Sequence, residues 1–277
     1  MHQVKAKKSL GQHFLTDLNI AGKIAGSLTY NQSGSVIEVG PGTGVLTRFL
    51  LQHDVPFFAV EIDRESIEFL KKEFPEKSFI IEGDFLRTTL EKFPKPIHLI
   101  GNFPYYISSQ IFFRVLENKN DISEVVCMIQ KEVAERIAAP PGNKTYGILS
   151  VLLQSFYNIE YLFTVHEHCF SPAPKVKSGV IRLTRNNRKD LPCNEKLFFA
   201  VVKQSFNQRR KTLRNSLKGM LEGIDTSSDF YTKRPEQLSV NDFVALAQTI
   251  EHFENKGTTA PNIEAGQEKT SLPAAGK

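Results

Sequence analysis

A planar aromatic amine could be held by four consecutive residues of this chain, Asn102, Phe103, Pro104 and Tyr105. Such an amine is a poor nucleophile because its lone pair is delocalised into the ring, so a site that uses it must accept the N–H hydrogens and favour a pyramidal nitrogen. The Asn102 amide oxygen can accept one hydrogen, the proline stiffens the turn, and Tyr105 offers an aromatic ring for stacking. Asn and Pro are also common in ordinary turns, so the interpretation depends on where these residues lie in the fold.

A glycine-rich turn could hold a nucleotide-like ligand. Gly40, Gly42 and Gly44 follow the apolar run Val36-Ile37-Glu38-Val39, and glycines there would let a ligand approach the backbone while the next helix points its N-terminus inward. A dinucleotide-binding turn reads G-x-G-x-x-G, whereas here the spacing is G-x-G-x-G. A nicotinamide cofactor is therefore disfavoured, although a plain tight turn remains an alternative.

Two acidic residues follow at the ends of later apolar runs. Glu61 lies about twenty residues beyond the glycine turn, where a carboxylate can accept hydrogen bonds from both ribose hydroxyls of an adenosyl group. Asp84 could accept from an adenine amine, with Phe85 packed near the ring. The alternative for each carboxylate is a helix N-cap or a solvated strand end.

The elements that must position these residues are short β-rich runs alternating with helical stretches. The runs are residues 36–39, 57–61, 79–82, 97–100, 125–129 and 180–183. This alternation predicts a mostly parallel sheet with helices on both faces, an α/β fold of Rossmann-like type. The glycine turn, Glu61, Asp84 and Asn102 end the first four runs in order, so we expect them to meet at one edge of the sheet, where ligands of such sheets bind.

The chain divides into four parts by composition. We expect a basic N-terminal segment and first helix in residues 1–33, the sheet domain in 34–186, a small all-helical domain in 190–255 and a disordered tail in 257–277. The tail has almost no large apolar residues and cannot bury enough surface to offset its ordering entropy.

Basic residues outnumber acidic ones by 35 to 30 and cluster in two places. Between Lys203 and Lys218 there is no acid, and Arg210, Arg214 and Lys218 are spaced to share one helix face. A solvated basic face is the alternative to phosphate binding. The residues predicted to contact phosphates are Lys5, Lys7, Lys8, Arg209, Arg210, Lys211 and Arg214.

Several classes of protein are disfavoured. The three cysteines form no C-x-x-C pair, and His166, His168 and Cys169 are not followed by a second ligand pair, so we predict no metal site. The chain has no apolar run long enough to span a bilayer and no signal-peptide core after its basic start. We expect a cytoplasmic monomer.

The order of glycine turn, ribose acid, adenine acid and Asn-x-Pro-aromatic resembles that of class I S-adenosylmethionine-dependent methyltransferases acting on amino groups. Three further stretches narrow the resemblance: Lys-Lys-Ser-Leu-Gly-Gln-His-Phe-Leu at 7–15, Phe-Ser-Pro-Ala-Pro-Lys-Val-Lys-Ser at 170–178 and Gln-Arg-Arg-Lys-Thr-Leu-Arg-Asn at 208–215. Over roughly residues 5–253 the chain resembles the ribosomal RNA small-subunit adenine dimethyltransferase family.

That resemblance implies particular roles for residues of this chain. An N-terminal segment with Gln12, His13 and Leu15 closes over S-adenosylmethionine, and the Phe103 carbonyl is the second acceptor for the amine. Most members carry Leu where Phe103 stands, an exchange that leaves a carbonyl in place. The residues implied to contact the cofactor also include Gly40, Gly42, Glu61, Asp84, Phe85 and Asn102.

The resemblance also implies a reaction. It is the transfer of two methyl groups to each of two adjacent adenosines in a hairpin near the 3′ end of small-subunit rRNA, within the small ribosomal particle, with the helical domain engaging that particle. Two other functions stay open. One is adenine methylation of large-subunit rRNA, as in antibiotic-resistance methyltransferases, and the other is a main role in ribosome assembly.

Overall fold

A seven-stranded sheet forms the centre of the molecule in a computed structural model that describes residues 4–29, 33–74 and 77–257. Its strands lie in the order β4-β3-β2-β5-β6-β9-β7. A second, two-stranded sheet pairs β1 with β8. The strands are β1 Phe14–Leu15, β2 Ser35–Val39, β3 Phe57–Glu61, β4 Ile80–Glu82, β5 Ile97–Asn102, β6 Ile122–Gln130, β7 Tyr157–Val165, β8 Phe170–Ser171 and β9 Ser178–Arg185. The predicted disordered tail lies outside the described residues, apart from residue 257.

Helices surround the sheet and follow it in sequence. Those before the last strand are α1 Leu18–Ala25, α2 Thr47–Leu50, α3 Arg64–Glu73, α4 Ser108–Glu117, α5 Lys131–Ala138 and α6 Ile148–Gln154. Those after it are α7 Glu195–Asn207, α8 Leu213–Ser216 and α9 Val240–Gly257. The prediction of an α/β sheet followed by an all-helical region is confirmed.

The order of the strands explains where a ligand can enter. From β2 the chain moves outward through β3 to β4, and then returns to the other side of β2 to form β5, with all these pairs parallel. The connections after β2 and β5 therefore diverge, which opens a crevice at the carboxyl ends of these two strands. All five residues of β2 are buried, as expected for a strand covered on both faces.

Of the two antiparallel strands at the far edge of the sheet, only β9 was predicted. Strand β9 pairs antiparallel with β6 and with β7. Strand β7 was not predicted from the sequence; its pairing with β9 shifts register between Tyr161 and Phe163. Such a shift breaks the alternation of side chains on which strand prediction depends.

The helical region packs on the sheet domain through a common core. Buried side chains from α7 and α9, such as Phe198 and Phe243, belong to the same hydrophobic cluster as Phe112 and Val115 of α4 and Leu152 of α6. Within the described parts of the chain, no helix combines the length and the hydrophobicity needed to cross a bilayer.

Gly101 allows β5 to approach β2 closely beside the cleft. A Cβ atom added to Gly101 would lie 2.5 Å from the main-chain oxygen of Val39. We therefore expect Gly101→Ala to lower the free energy of unfolding in urea by about 1–3 kcal/mol, as other overpacked substitutions do. Gly219→Ala is the matched control because a Cβ there meets no atom within 4 Å. Equal stabilities of the two variants would refute the close-approach argument.

Candidate active site

An open cleft, about 980 Å³ when the adjoining solvent space is included, lies where β2, β3 and β5 end. The residues predicted for cofactor binding and catalysis all line it: Gln12, His13, Leu15, Gly40, Gly42, Glu61, Asp84, Phe85, Asn102, Phe103, Pro104 and Tyr105. The structure thus brings the predicted residues together, and their individual roles stay predictions.

The glycine turn leaves backbone open to the cleft. Gly40 and Gly42 have φ angles of 68° and 58°, in the left-handed region that favours glycine. A Cβ on Gly40 would meet no protein atom within 4 Å, so a ligand has room against the main chain there. A Cβ on Gly42 would lie 2.9 Å from the Phe14 ring. We expected a helix directly after the glycine turn, but the helix there is the four-residue α2, which begins only at Thr47. The turn itself therefore lines this side of the cleft.

Glu61 is buried at the end of β3 and is held by main-chain donors. Its Oε2 accepts a hydrogen bond from Gly42 N at 3.0 Å, and its Oε1 accepts from Ile62 N and Asp63 N, each at 2.9 Å. Burial raises the pKa of Glu61, and these main-chain hydrogen bonds oppose the rise. Because a carboxylate has about four acceptor positions, about one remains, on Oε2. A single ribose hydroxyl fits this count better than the two expected from sequence.

Glu38 is a second buried carboxyl group beside the glycine turn, and no role was predicted for it from the sequence. It is 1% exposed, lines the cleft, and its Oε2 accepts a hydrogen bond of 2.6 Å from Thr47 Oγ1. Burial raises its pKa to about 8, and the nearby Glu61 carboxylate adds to the rise. Glu38 is therefore mostly protonated at neutral pH in the ligand-free protein.

The raised pKa of Glu38 predicts a stability change with pH. The stabilisation from its bound proton is fully present below about pH 4.5 and is lost as pH rises through about 8. Between pH 6 and pH 9 we expect the wild type to lose up to about 3 kcal/mol of unfolding free energy relative to Glu38→Gln, since one pKa unit corresponds to about 1.4 kcal/mol. Urea unfolding at both pH values measures the difference, with the exposed Glu82→Gln as control. Parallel pH profiles of wild type and Glu38→Gln would contradict the assignment.

Asp84 fits both of the roles considered for it. Its Oδ1 accepts a hydrogen bond of 2.9 Å from Leu86 N and caps a short 3-10 helix at Phe85–Arg87. The residue also lines the cleft beside the buried Phe85. Capping leaves Oδ2 for a further donor, with the Arg87 Nε atom 3.8 Å away.

The amide of Asn102 is oriented by the N-terminal segment, here residues 4–15. Its Nδ2 donates a hydrogen bond of 2.9 Å to the main-chain oxygen of His13. A carbonyl oxygen can only accept, so the NH₂ group must face His13 and the amide orientation is determined. Oδ1 is then the amide atom available to accept a hydrogen from a substrate amine.

Phe103 and Tyr105 have different surroundings. The Phe103 side chain is fully buried and packs edge-on against Phe112, with ring centroids 6.2 Å apart, so the Phe side chain serves the core. Tyr105 is half-buried, its ring lies 5.8 Å from that of His13, and its hydroxyl is 2.7 Å from Ser178 Oγ. Burial raises the pKa of Tyr105, so at neutral pH the ring is an uncharged phenol.

The N-terminal segment contacts the residues that follow β3, on the opposite side of the cleft from Asn102. Lys7 forms an ion pair with the buried Asp63 and lies 3.2 Å from Glu65. Gln12 Nε2 donates to Asp63 Oδ2 at 3.3 Å. Lys7 was predicted to bind RNA, but in this structure its ammonium group is paired within the protein, whereas Lys5 and Lys8 are exposed.

The expectation that Arg210, Arg214 and Lys218 share one helix face was wrong, because the chain between Lys203 and Lys218 is not one continuous helix. Helix α7 ends at Asn207, a turn follows, and α8 begins after Thr212. The break lets Leu213 enter the core, where it is fully buried, so Arg210, Arg214 and Lys218 do not share one helix face.

The predicted phosphate-binding residues of this region separate into two kinds. Arg209 donates to the main-chain oxygen of Lys144 and lies 3.7 Å from Glu236, and Arg214 donates to the oxygen of Thr226. Arg210 and Lys211 are exposed, and among the described residues neither forms an ion pair. The exposed pair is thus better placed for phosphate contact.

In the described part of the chain, no group of three or more His, Cys, Asp or Glu side chains is arranged to hold a metal ion. The rings of His166 and His168 stack on each other, and the Cys169 thiol lies 3.8 Å from Asp17 Oδ2. The prediction of no metal stays a prediction.

Besides Glu38, two features at the cleft were missed. Ser178 contacts Tyr105, and the exposed Lys175 and Lys177 lie on the loop that leads to it. The 170–178 stretch was recognised only as a marker of resemblance. Its contact with Tyr105 had no sequence signal because the two are more than seventy residues apart.

Sequence comparison finds relatives over nearly the whole chain. A family model described as ribosomal RNA adenine dimethylase matches residues 3–249. A protein of Porphyromonas gingivalis named ribosomal RNA small subunit methyltransferase A is 58% identical over 91% of this chain and 100% of its own length. A protein of the same name from Bacteroides thetaiotaomicron is 55% identical over 95% of this chain and 100% of its own.

Solved structures show the same architecture. A dimethyladenosine transferase from Plasmodium falciparum superposes with a TM-score of 0.74 at 26% identity, covering 88% of this chain and 98% of that one. The 23S rRNA methyltransferase ErmE superposes with a TM-score of 0.59 at 25% identity, covering 85% and 99%.

Proposed function

The chain belongs to the ribosomal RNA adenine dimethylase family and is an S-adenosylmethionine-dependent rRNA adenine dimethyltransferase, and on that premise we propose that its substrate is small-subunit rRNA. The proposed products are two adjacent N6,N6-dimethyladenosines in a hairpin near the 3′ end of that RNA. Two relatives at 58% and 55% identity named as small-subunit methyltransferases support this choice. The 23S enzyme is less similar, at 25% identity.

The cleft has the features that S-adenosylmethionine requires. Backbone is open at Gly40, a buried carboxylate lies at Glu61, and a second carboxylate lies at Asp84 beside an aromatic ring. The cofactor would lie against the open backbone at Gly40. Glu61 would bind its ribose, and Asp84 would bind its adenine. When bound, the cofactor supplies its sulfonium methyl group, which passes to the N6 lone pair while the C–S bond electrons return to sulfur.

The orientation of Asn102 is the observation that carries the proposed chemistry, the methylation of an adenine amine. With Nδ2 committed to His13 O, Asn102 Oδ1 would accept one N6 hydrogen of the target adenine and the Phe103 carbonyl the other. Both bonds draw the nitrogen toward a pyramidal geometry in which its lone pair is available. The cationic product then loses its extra proton, so no strong general base is needed.

The second transfer is more demanding for this site. After one methylation N6 carries a single hydrogen, so only one of the two acceptors can hold it. Stacking of the base on Tyr105 must then supply more of the positioning. His13 lies against one face of the Tyr105 ring at a centroid distance of 5.8 Å, so a stacked base would take the other face.

The proposal extends to the partner and the parts of the chain that engage it. Residues 34–186 bind cofactor and target base, residues 190–255 engage the small ribosomal particle, and the protein acts as a metal-free monomer in the cytoplasm. Phosphate contacts come from the exposed Arg210 and Lys211, from Lys5 and Lys8, and from Lys175 and Lys177 on the loop that leads to Ser178. A role in small-subunit assembly would follow from binding to the immature particle.

Arg210 provides a test of the RNA-binding surface. Since each neutralised phosphate releases bound counterions, Arg210→Ala should weaken binding to small subunits and lower the slope of log affinity against log salt by about one. Filter binding over a range of salt concentrations measures both quantities. Lys72→Ala, an exposed substitution on α3, is the control. If the salt dependence of Arg210→Ala has the same slope as that of the control, Arg210 does not contact RNA phosphates.

The substrate is tested by incubating the purified protein and labelled S-adenosylmethionine with unmethylated small subunits and, separately, with large-subunit rRNA. The proposal expects dimethyladenosine in the small-subunit reaction and little label in the other. Label mainly in the large-subunit RNA would favour the alternative related to ErmE.

A further inference from the structure

The 170–178 stretch runs from the N-terminal segment to the seven-stranded sheet and contacts the catalytic motif, residues 102–105. It begins with Phe170–Ser171, which pairs with Phe14–Leu15 of the N-terminal segment. It ends at Ser178, which pairs with Gln130 of β6 and with Val165 of β7. Ser178 is fully buried between these two neighbours. Its hydroxyl is therefore attached to a rigid part of the sheet.

That hydroxyl reaches the aromatic ring predicted to stack on the target base. Ser178 Oγ lies 2.7 Å from the Tyr105 hydroxyl oxygen, a hydrogen-bond distance. Tyr105 itself stands on the loop after β5, where the main chain no longer belongs to the sheet. The bond joins the outer end of the ring to the sheet and so limits how the ring can tilt.

A second support acts on the face of the same ring. His13 stacks near Tyr105 with an interplanar angle of 29°, and His13 Nδ1 lies 2.7 Å from the main-chain oxygen of Pro172. Because that oxygen can only accept, Nδ1 must carry the proton. Both supports of Tyr105 therefore end on the 170–178 stretch.

We propose that Ser178 is a positioning residue that, through Tyr105, sets the ring against which the target adenine stacks, and that it is needed most for the second methylation. This inference rests on the proposed function. An unmodified N6 has two hydrogens held by Asn102 Oδ1 and the Phe103 carbonyl, whereas a monomethylated N6 has one. A tilted ring should therefore be tolerated better in the first transfer than in the second.

The test uses Ser178→Ala, Tyr105→Phe and the double variant with unmethylated small subunits. We expect each single variant to bind S-adenosylmethionine with wild-type affinity within about twofold and to slow the first transfer by about 3- to 10-fold, the effect of one hydrogen bond. The second transfer should slow further, so that monomethyladenosine accumulates. The double variant should resemble the singles, because all three lack the same bond.

Matched controls separate positioning from a general loss of packing. Ser155→Ala removes another buried hydroxyl, bonded at 2.8 Å to Val151 O, and Tyr157→Phe removes a buried phenol hydroxyl bonded at 3.0 Å to Ile122 O. Both should leave the ratio of mono- to dimethyladenosine unchanged. If Ser178→Ala does not fold, Tyr105→Phe still removes the bond without leaving a cavity.

Several results would overturn the inference. A wild-type product ratio in Ser178→Ala and Tyr105→Phe would do so, as would effects that multiply in the double variant or an equal shift in the controls. In those cases the wild type still forms dimethyladenosine, and the proposed function stands. A wild type that forms none on small-subunit rRNA would overturn both.

Discussion

Replacing Asn102 by Ala is expected to lower the rate of methyl transfer by at least about 100-fold, with a much smaller change in S-adenosylmethionine affinity. In the proposed mechanism the Asn102 amide oxygen accepts an N6 hydrogen, and the orientation of the amide is determined by the bond to His13 O. Removing one preorganised polar group that acts on developing charge costs about 100- to 1,000-fold in comparable sites. Single-turnover transfer to unmethylated small subunits measures the rate, and calorimetry measures cofactor binding.

Asn118→Ala is a matched control for this experiment. Asn118 caps the C-terminal end of α4 with a bond of 2.8 Å from its Nδ2 to Arg114 O, and it does not line the cleft. It should transfer methyl groups at the wild-type rate. Transfer by Asn102→Ala within a few-fold of wild type would refute the mechanism.

The same variant separates catalysis from assembly. Because Asn102 lines the cleft and the proposed phosphate contacts Arg210 and Lys211 do not, Asn102→Ala should still bind small subunits. If small-subunit assembly proceeds normally in cells that carry only this variant, binding is the more important role. If assembly fails as it does without the gene, methyl transfer is required.

Replacing Glu61 is expected to have the second largest effect, and it acts on the cofactor. A hydrogen bond to a charged group contributes about 1.5–3 kcal/mol, so losing the ribose contact should weaken S-adenosylmethionine binding by about 10- to 100-fold. Glu61→Ala should weaken cofactor binding more than Glu61→Gln does, because it also leaves Gly42 N and Asp63 N without their acceptor. Glu61→Gln keeps one acceptor oxygen and should lie between Ala and wild type.

Glu82 offers the control, since it lies beside Glu61 in the register of β3 and β4. Its carboxylate is more than half exposed, pairs with Lys71 and does not line the cleft. Calorimetric titration should give Glu82→Ala the wild-type cofactor affinity. An unchanged affinity for Glu61→Ala would mean that the ribose lies elsewhere.

Residue order along the chain was enough to predict the half of the site that comes from parallel strands. Glycine turn, Glu61, Asp84 and Asn102 each follow a nearly unbroken apolar run, and such runs must lie side by side to be buried. Their carboxyl ends therefore met in the cleft as expected. Glu38 also had a signal, since it is an acidic residue inside a strand whose neighbours Ile37 and Val39 are buried.

Contacts between distant segments could not be predicted in this way. The bonds from Asn102 to His13 and from Tyr105 to Ser178 depend on how the N-terminal segment and β9 cross the sheet. Strand β7 lost its alternation at a register shift, and the basic run 203–218 had helical spacing although Leu213 must turn into the core. In each case tertiary packing outweighed the local pattern.

The central claim is that this chain makes N6,N6-dimethyladenosine in small-subunit rRNA. Mass analysis of nucleosides from that RNA, in a strain lacking the gene and in the same strain supplied with wild type or Asn102→Ala, tests it most directly. We predict that dimethyladenosine is absent without the gene, returns with the wild type and stays absent with Asn102→Ala. Dimethyladenosine at the wild-type level in the strain lacking the gene would contradict the claim.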